Sequence, residues 1–431
     1  MVKWIIVVIA FFGLMLDVTI GPSTAEGAES SAAVLQEMNT FFEHAVDGGK
    51  LPGVISVIAR KGEITHASSS GYSSSGDPTT TLATLPDTIF RLFSMSKPVT
   101  AAAVMLLLDE GLIQLDDPVS NYLPEYTNMK VLKKGQLVTA ASPITIRHLL
   151  THTSGVSYLL LQTPVTDHYV KEDVFAISNR LSETTEAHVK RLAKLPLVAH
   201  PGAEWSYGES FGILGRLIEV VSGQPFGQFL KTRLFVPLKM TDTGFFVPEE
   251  KVHRLAALYQ ADSNGDLVDV SNGPFGGDYT QKPPLEYGGA GLVGTPLDYL
   301  KFAQMLLNDG QVDGRQLISQ ASIEKLKTNQ LGNEMGQTPL ESLGNPEFSR
   351  SGVGFGFGGY VVHEHPGEGW NGSLGEYSWG GWADTHFWID PEEELVALFF
   401  TQVLPGSGPS ENWRPKFRDF VYRSLVKSAP N

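Results

Sequence analysis

A chain of 431 residues has room for two or three domain-sized units and a large core. Its formal net charge of −15 argues against nucleic acid or an anionic membrane surface as partner. The absence of cysteine excludes disulfides, thiol catalysis, thiolate metal sites and anchoring through a lipidated N-terminal cysteine.

Lys3 precedes an apolar run from Trp4 to Leu16 that is too short to span a bilayer comfortably, and Asp17 follows it. Ser23-Thr-Ala25 then supplies small residues for cleavage. Residues 1–25 are therefore expected to be a secretory signal, with an uncleaved membrane anchor as the competing reading; cleavage leaves a mature chain that is periplasmic or extracellular and has no stable membrane span.

Val34, Met38, Phe41, Phe42 and Ala45 recur at helical spacing and predict a helix over roughly 31 to 47. Val54 to Ala59, a Lys61-Gly62 turn and Glu63 to Ala67 predict a hairpin. A short apolar run from Ile89 to Phe93 ends at Ser94, where an almost wholly apolar helix begins and runs to a stop at Gly111. From there to about Val247 the signals are mostly helical, including a helix from Phe211 that stops at Gly223. Ala257 to Glu286 is polar and rich in Gly and Pro, and is expected to be a long loop. A helix over Thr295 to Leu307 and a turn at Gly310 to Gly314 follow. Strands are expected at Phe355 to Val362, Tyr377 to Ile389 and Glu394 to Thr401, and a last helix at Trp413 to Lys427. Strand-rich ends around a helical middle point to an α/β layer built from both termini (30–93 and 290–431) and an inserted, mainly helical domain over 94–289.

Three S-x-x-K matches occur: Ser94 to Lys97, Ser322 to Lys325 and Ser424 to Lys427. The last two fall on helices expected to be solvated surface. Ser94 alone has a strand, an abrupt turn and a buried helix around it. Three residues apart, Ser94 and Lys97 share one face of the first turn, where burial should lower the lysine pKa toward neutral. A partly deprotonated lysine beside a hydroxyl activates it as a nucleophile. Tyr207, in Trp205-Ser-Tyr207-Gly-Glu209, is a candidate second proton carrier, although on that stretch alone a tyrosine at a helix start packing a core edge fits better. In Trp379-Gly380-Gly381-Trp382 two glycines bare the backbone for a ligand, or else mark a β-bulge.

With these motifs in this order, the chain resembles the serine β-lactamase and penicillin-binding-protein superfamily, in its class C-like branch with the family VIII carboxylesterases. Ser94-Met-Ser-Lys97 matches the first motif, Tyr207-Gly-Glu209 the tyrosine motif written Y-x-N, and Trp379-Gly-Gly381 the third. Framework segments Leu115–Val119, Ile144–Gly155, Pro237–Thr243 and Gly288–Thr295 agree as well. The resemblance implies an antiparallel sheet flanked by N- and C-terminal helices. It implies Ser94 as nucleophile, Lys97 with Tyr207 as base and proton relay, and an oxyanion slot made by the backbone N–H groups of Ser94 and Trp382. No metal or cofactor is implied.

Substrate contacts are expected at Glu209, Trp379, Gly380 and Gly381. Trp379 replaces the cation that meets a drug carboxylate in β-lactamases, and ionised Glu209 cannot donate to an amide as asparagine does. Both changes favour a small to medium ester as substrate, cleaved by an exported carboxylesterase with side activity on β-lactams. The alternatives are a β-lactamase, a D-alanyl-D-alanine carboxypeptidase or an acyltransferase of the same fold. A carboxylate near Lys97 would keep its ammonium charged. Either Tyr207 then carries more of the base role, or Glu209 points away.

Other motifs lead elsewhere. Gly208-Glu-Ser210-Phe-Gly212 fits the G-x-S-x-G elbow but lacks a preceding strand. His148 and His152 lack the glutamate and third ligand of a zinc helix. His363, His365 and His386 read as turn or packing residues.

Overall fold

Alternating burial decides the architecture. In the strand Leu395–Phe400, Leu395, Ala397 and Phe399 pack into one apolar cluster while Val396, Leu398 and Phe400 pack into another. A strand whose two faces are both apolar must lie between two layers. That strand is the seventh of a wholly antiparallel sheet in a computed structural model that describes residues 22–73, 84, 86–332, 350–406 and 412–425. In chain order the strands are β1 (Gly53–Arg60), β2 (Glu63–Gly71), β3 (Val353–Phe355), β4 (Tyr360–Val362), β5 (Tyr377–Gly380), β6 (His386–Asp390) and β7 (Leu395–Phe400). They lie side by side as β3-β4-β5-β6-β7-β1-β2.

One face carries the terminal helices, α1 (Pro22–Asp47) and α5 (Trp413–Ser424). Phe42 of α1 meets Phe399, Trp413 and Phe417 at ring separations of 5.2, 6.4 and 6.4 Å. The other face meets α4 (Pro296–Leu307), where Tyr299 lies 4.9 Å from Phe387, and beyond it α2 (Ser96–Asp109) and α3 (Ser210–Ser222). The α/β class and the antiparallel sheet flanked by the N- and C-terminal helices match what the resemblance implies. The expected export segment lies outside the described residues apart from 22–25, which open α1. Among the described residues no helix is long and apolar enough to cross a membrane.

Several boundaries differ from the sequence reading. The run Phe355 to Val362 is two strands, β3 and β4, because Gly358 at φ +80° reverses the chain between them. Tyr377 to Ile389 is likewise split into β5 and β6, with Asp384 at φ +64° in the turn. All four strands are buried on both faces, so no alternation marked their ends. The polar stretch expected as a loop contains a hairpin, Tyr259–Ala261 with Leu267–Asp269, and Tyr259 also pairs in parallel with Val403. A second small hairpin, Lys130–Lys133 with Gln136–Thr139, interrupts the mostly helical middle. Strands of three or four residues are too short to show a period.

The aromatic layer under α1 predicts a stability effect with little effect on chemistry. Phe42→Ala should cost about 3 to 5 kcal/mol in urea unfolding. The folded variant should keep its activity, since the layer faces away from Ser94.

Candidate active site

Ser94 stands where a strand is forced into a helix. Phe90–Arg91 pairs with Val293–Gly294, and the Leu92 N–H donates to Leu292 O at 2.9 Å. Phe93 then takes φ +44°, a left-handed conformation rare for an aromatic residue, and a single 3₁₀ turn, Phe93–Met95, leads into α2. Pro98 in the first turn of α2 costs no intrahelical bond. The turn presents Ser94, half-buried, with Lys97 one turn below it and only 2 % exposed.

The three expected chemical groups meet. Lys97 Nζ lies 3.1 Å from Ser94 Oγ and donates to Gly289 O at 2.7 Å. The Tyr207 hydroxyl donates to Ser94 Oγ at 2.7 Å, and Lys97 Nζ lies 4.6 Å from the centre of the Tyr207 ring. Since Ser94 Oγ accepts from Tyr207, its own proton is free to point at Lys97. Burial brings the Lys97 ammonium down to about 7, although the Glu209 carboxylate pulls the other way. Burial holds the Tyr207 phenol above its ordinary range, aided by Glu209 and opposed by its hydrogen bonds with Ser94 and Trp379. Near neutral pH, then, the lysine can accept a proton and the tyrosine can only donate or relay one.

Tyr207 is held by a ring of aromatic groups: His152 at 4.7 Å, Trp379 at 5.9 Å, Trp205 at 6.0 Å and Tyr158 at 6.2 Å. His152, read as framework, is completely buried, and desolvation holds it well below its usual pKa as a neutral plate. Gly208 must be glycine, since a Cβ there would come within 2.2 Å of Val156 O.

The β5 end reaches the same place. A Cβ on Gly381 would lie 2.5 Å from Leu92 O, so this bare backbone is what lets the strand end approach the nucleophile turn. Trp382, half-buried, lies 6.2 Å from Phe93 and 5.0 Å from Phe275. As a group ahead of the helix, the Ser94 N–H has no intrahelical acceptor, the condition an oxyanion donor requires. Sequence reasoning missed Arg414, whose Nη2 donates to Gly381 O at 2.8 Å and whose Nε lies 2.6 Å from Asp384. No local motif could have found it, because it comes from α5.

Two expected substrate contacts are placed differently. Trp379 is 2 % exposed and packs edge-on to Phe355 at 5.3 Å, so its ring supports Tyr207 rather than walling a cleft. Glu209 is completely buried and turned toward His188, with Nε2 3.8 Å from its carboxylate. Its backbone N–H donates to Ser157 O at 3.2 Å, which aims the side chain inward. Gly380 is half-buried beside Arg414.

The decoys resolve simply. Ser210 is buried and bonded to Ser154 at 2.9 Å. His148 caps its own helix through Thr145, and His386 pairs with Ser378 at 3.0 Å. Ser322 and Ser424, expected on solvated surface, are buried, with Ser322 donating to Asp109 at 2.6 Å. Lys325 is exposed, and Lys427 lies outside the described residues.

A serine between a neutral-tending buried lysine and a tyrosine donor, on a strand-fed helix, is a constellation for acyl transfer. The family model of the beta-lactamases matches residues 38–417. The chain belongs to the beta-lactamase family. It is 29% identical over 405 residues to the monacolin J acid methylbutanoyltransferase of Aspergillus terreus, covering 89% of this chain and 94% of that one. It is 28% identical over 413 residues to esterase EstB of Burkholderia gladioli, covering 91% and 96%. Among solved structures, EstCE1, described as a hydrolase with promiscuous acyltransferase activity, superposes with a TM-score of 0.75 at 27% identity, over 92% of this chain and 100% of that one.

The buried lysine ties both activity and stability to pH, and both rise with it. Acylation of Ser94 should rise through about pH 7 as Lys97 becomes neutral. Its folded pKa lies below the unfolded 10.5, so the unfolded chain binds more protons between about 7 and 10.5. The cost of burying Lys97 is therefore present in full below that window and fades as pH rises through it. The stability of Lys97→Met relative to the wild type should grow as pH falls from 10.5 to 7 and then level off, while acylation is lost; a pH-independent difference in Tm would contradict this.

Proposed function

We propose that the protein is a serine carboxylesterase that cleaves small to medium acyl esters through an acyl-enzyme on Ser94. The observation that carries the reading is the pair of contacts to Ser94 Oγ, Lys97 Nζ at 3.1 Å and the Tyr207 hydroxyl at 2.7 Å. Ser94 Oγ attacks the ester carbonyl as its proton passes to the Lys97 amine. The backbone N–H groups of Ser94 and Trp382 stabilise the oxyanion. The proton then returns through Lys97 and Tyr207 to the departing alkoxide, and an alcohol leaves. Water enters, loses its proton to the same pair and releases the acid, restoring Ser94.

Preference for an ester over an anionic β-lactam is supported by the third motif. Trp379 supplies no cation there, and the Arg414 guanidinium beside Gly380 is engaged by Asp384 and Gly381 O. The esterase name carried by EstB and the hydrolase description of EstCE1 point the same way. Residues 1–25 fit export of this enzyme to the periplasm or medium.

Purified protein should hydrolyse a p-nitrophenyl butyrate ester faster than a chromogenic cephalosporin. Ser94→Ala should lower ester turnover by about 10⁴-fold or more. Turnover that survives Ser94→Ala, or faster cephalosporin cleavage, would defeat the proposal.

A further inference from the structure

Glu209 is the group that works against the site. Its carboxylate is completely buried, sits two residues after Tyr207 and favours the charged form of Lys97. Its partner comes from a different element, the helix Thr185–Leu192. There His188, completely buried, points Nε2 at Glu209 Oε2 across 3.8 Å and Nδ1 at Glu183 Oε1 across 2.9 Å. Arg191, one turn on, lies 2.7 Å from the same Glu183 oxygen. Lys97, Glu209, His188, Glu183 and Arg191 thus form a chain of alternating charge that runs from the nucleophile turn out to the surface.

We propose that His188 is a positioning residue whose imidazolium neutralises Glu209, leaving the Lys97 amine free to take the Ser94 proton. The inference rests on the esterase reading for its chemistry, and nothing in the catalytic motifs calls for a histidine here. A buried carboxylate with Lys97 as its sole cation would lock the ammonium in place. A second buried cation on its far side shares the field and repels the proton on Lys97. His188 can stay charged because Glu183 and Glu209 together outweigh the burial that would otherwise discharge it. Glu183 in turn is held below the usual carboxylate range by His188 and Arg191 against its own burial. The other groups that face Glu209 are phenols: Tyr287, whose ring lies 6.3 Å from His188, and Tyr126, Tyr158, Tyr169 and Tyr207. All five are raised above their ordinary range, mainly by burial, so none competes as a charge.

The test reads the acid limb of Ser94 labelling by a fluorophosphonate, in which Oγ bonds to phosphorus, fluoride leaves and the serine proton passes to the base. This readout needs no ester turnover. Labelling without ester hydrolysis would defeat the esterase reading and leave this inference standing. In the wild type the limb should lie at about pH 7. His188→Gln should move it up by about one pH unit, and Glu209→Gln should move it down by a similar amount. The double variant should return close to the wild type, because both members of the pair are gone. A limb unmoved by His188→Gln, or a double variant that tracks His188→Gln alone, would overturn the proposal. Should the His188 variants fail to fold, ¹⁵N-histidine NMR of the wild type and Glu209→Gln decides it. Both His188 nitrogens should remain protonated at pH 7 in the wild type and lose a proton more readily in Glu209→Gln. A neutral His188 in the wild type would overturn the inference.

Discussion

Everything in this site depends on holding an amine under Ser94 without water. Lysine in solution is a cation at any physiological pH and is useless as a base. Here α2 draws Lys97 into an apolar helix–sheet interior, where among the described residues Nζ hydrogen-bonds to Ser94 Oγ and the Gly289 carbonyl. Two hydrogen-bond partners suit a neutral amine and poorly compensate an ammonium. The folded chain therefore carries a destabilising group, and the large core on both faces of the sheet is what makes that tolerable.

The rest of the fold brings backbone to that amine from distant parts of the chain. Phe93 accepts a left-handed backbone so that Ser94 can stand clear of its strand. Gly208 passes against Val156 O and so places Tyr207, and Gly381 passes against Leu92 O and so places Trp382. Arg414 ties the β5 end to α5, which links the catalytic strand to the helix layer on the opposite face. The aromatic ring around Tyr207 fixes its hydroxyl on Ser94 and keeps water from the phenol. In the proposed mechanism, acyl transfer follows from a serine hydroxyl, an uncharged amine and a fixed donor converging on one oxygen.

Much of this was legible in the sequence because the chemistry clusters locally. Ser94 and Lys97 lie within one helical turn, and the apolar run after them announces a buried helix. Tyr207 and Trp379-Gly-Gly381 carried little weight alone and became informative through their order and resemblance. The burial of Glu209 and its pairing with His188 could not be read, since the two sit on different elements and His188 belongs to no local pattern. The split of Tyr377 to Ile389 into two strands was hidden for a related reason. Burial on both faces removes the alternation that marks a strand, and the turn between them is set by Asp384 and Arg414, thirty residues apart in the chain.

The direct measurement is the titration of the Lys97 amine itself, followed by ¹⁵N NMR in the Ser94→Ala protein and assigned with Lys97→Met. The account predicts a midpoint of about 7, far below the 10.5 of a free lysine. A midpoint near the free value would mean that the amine is solvated or held charged by Glu209, and that Lys97 is not the base.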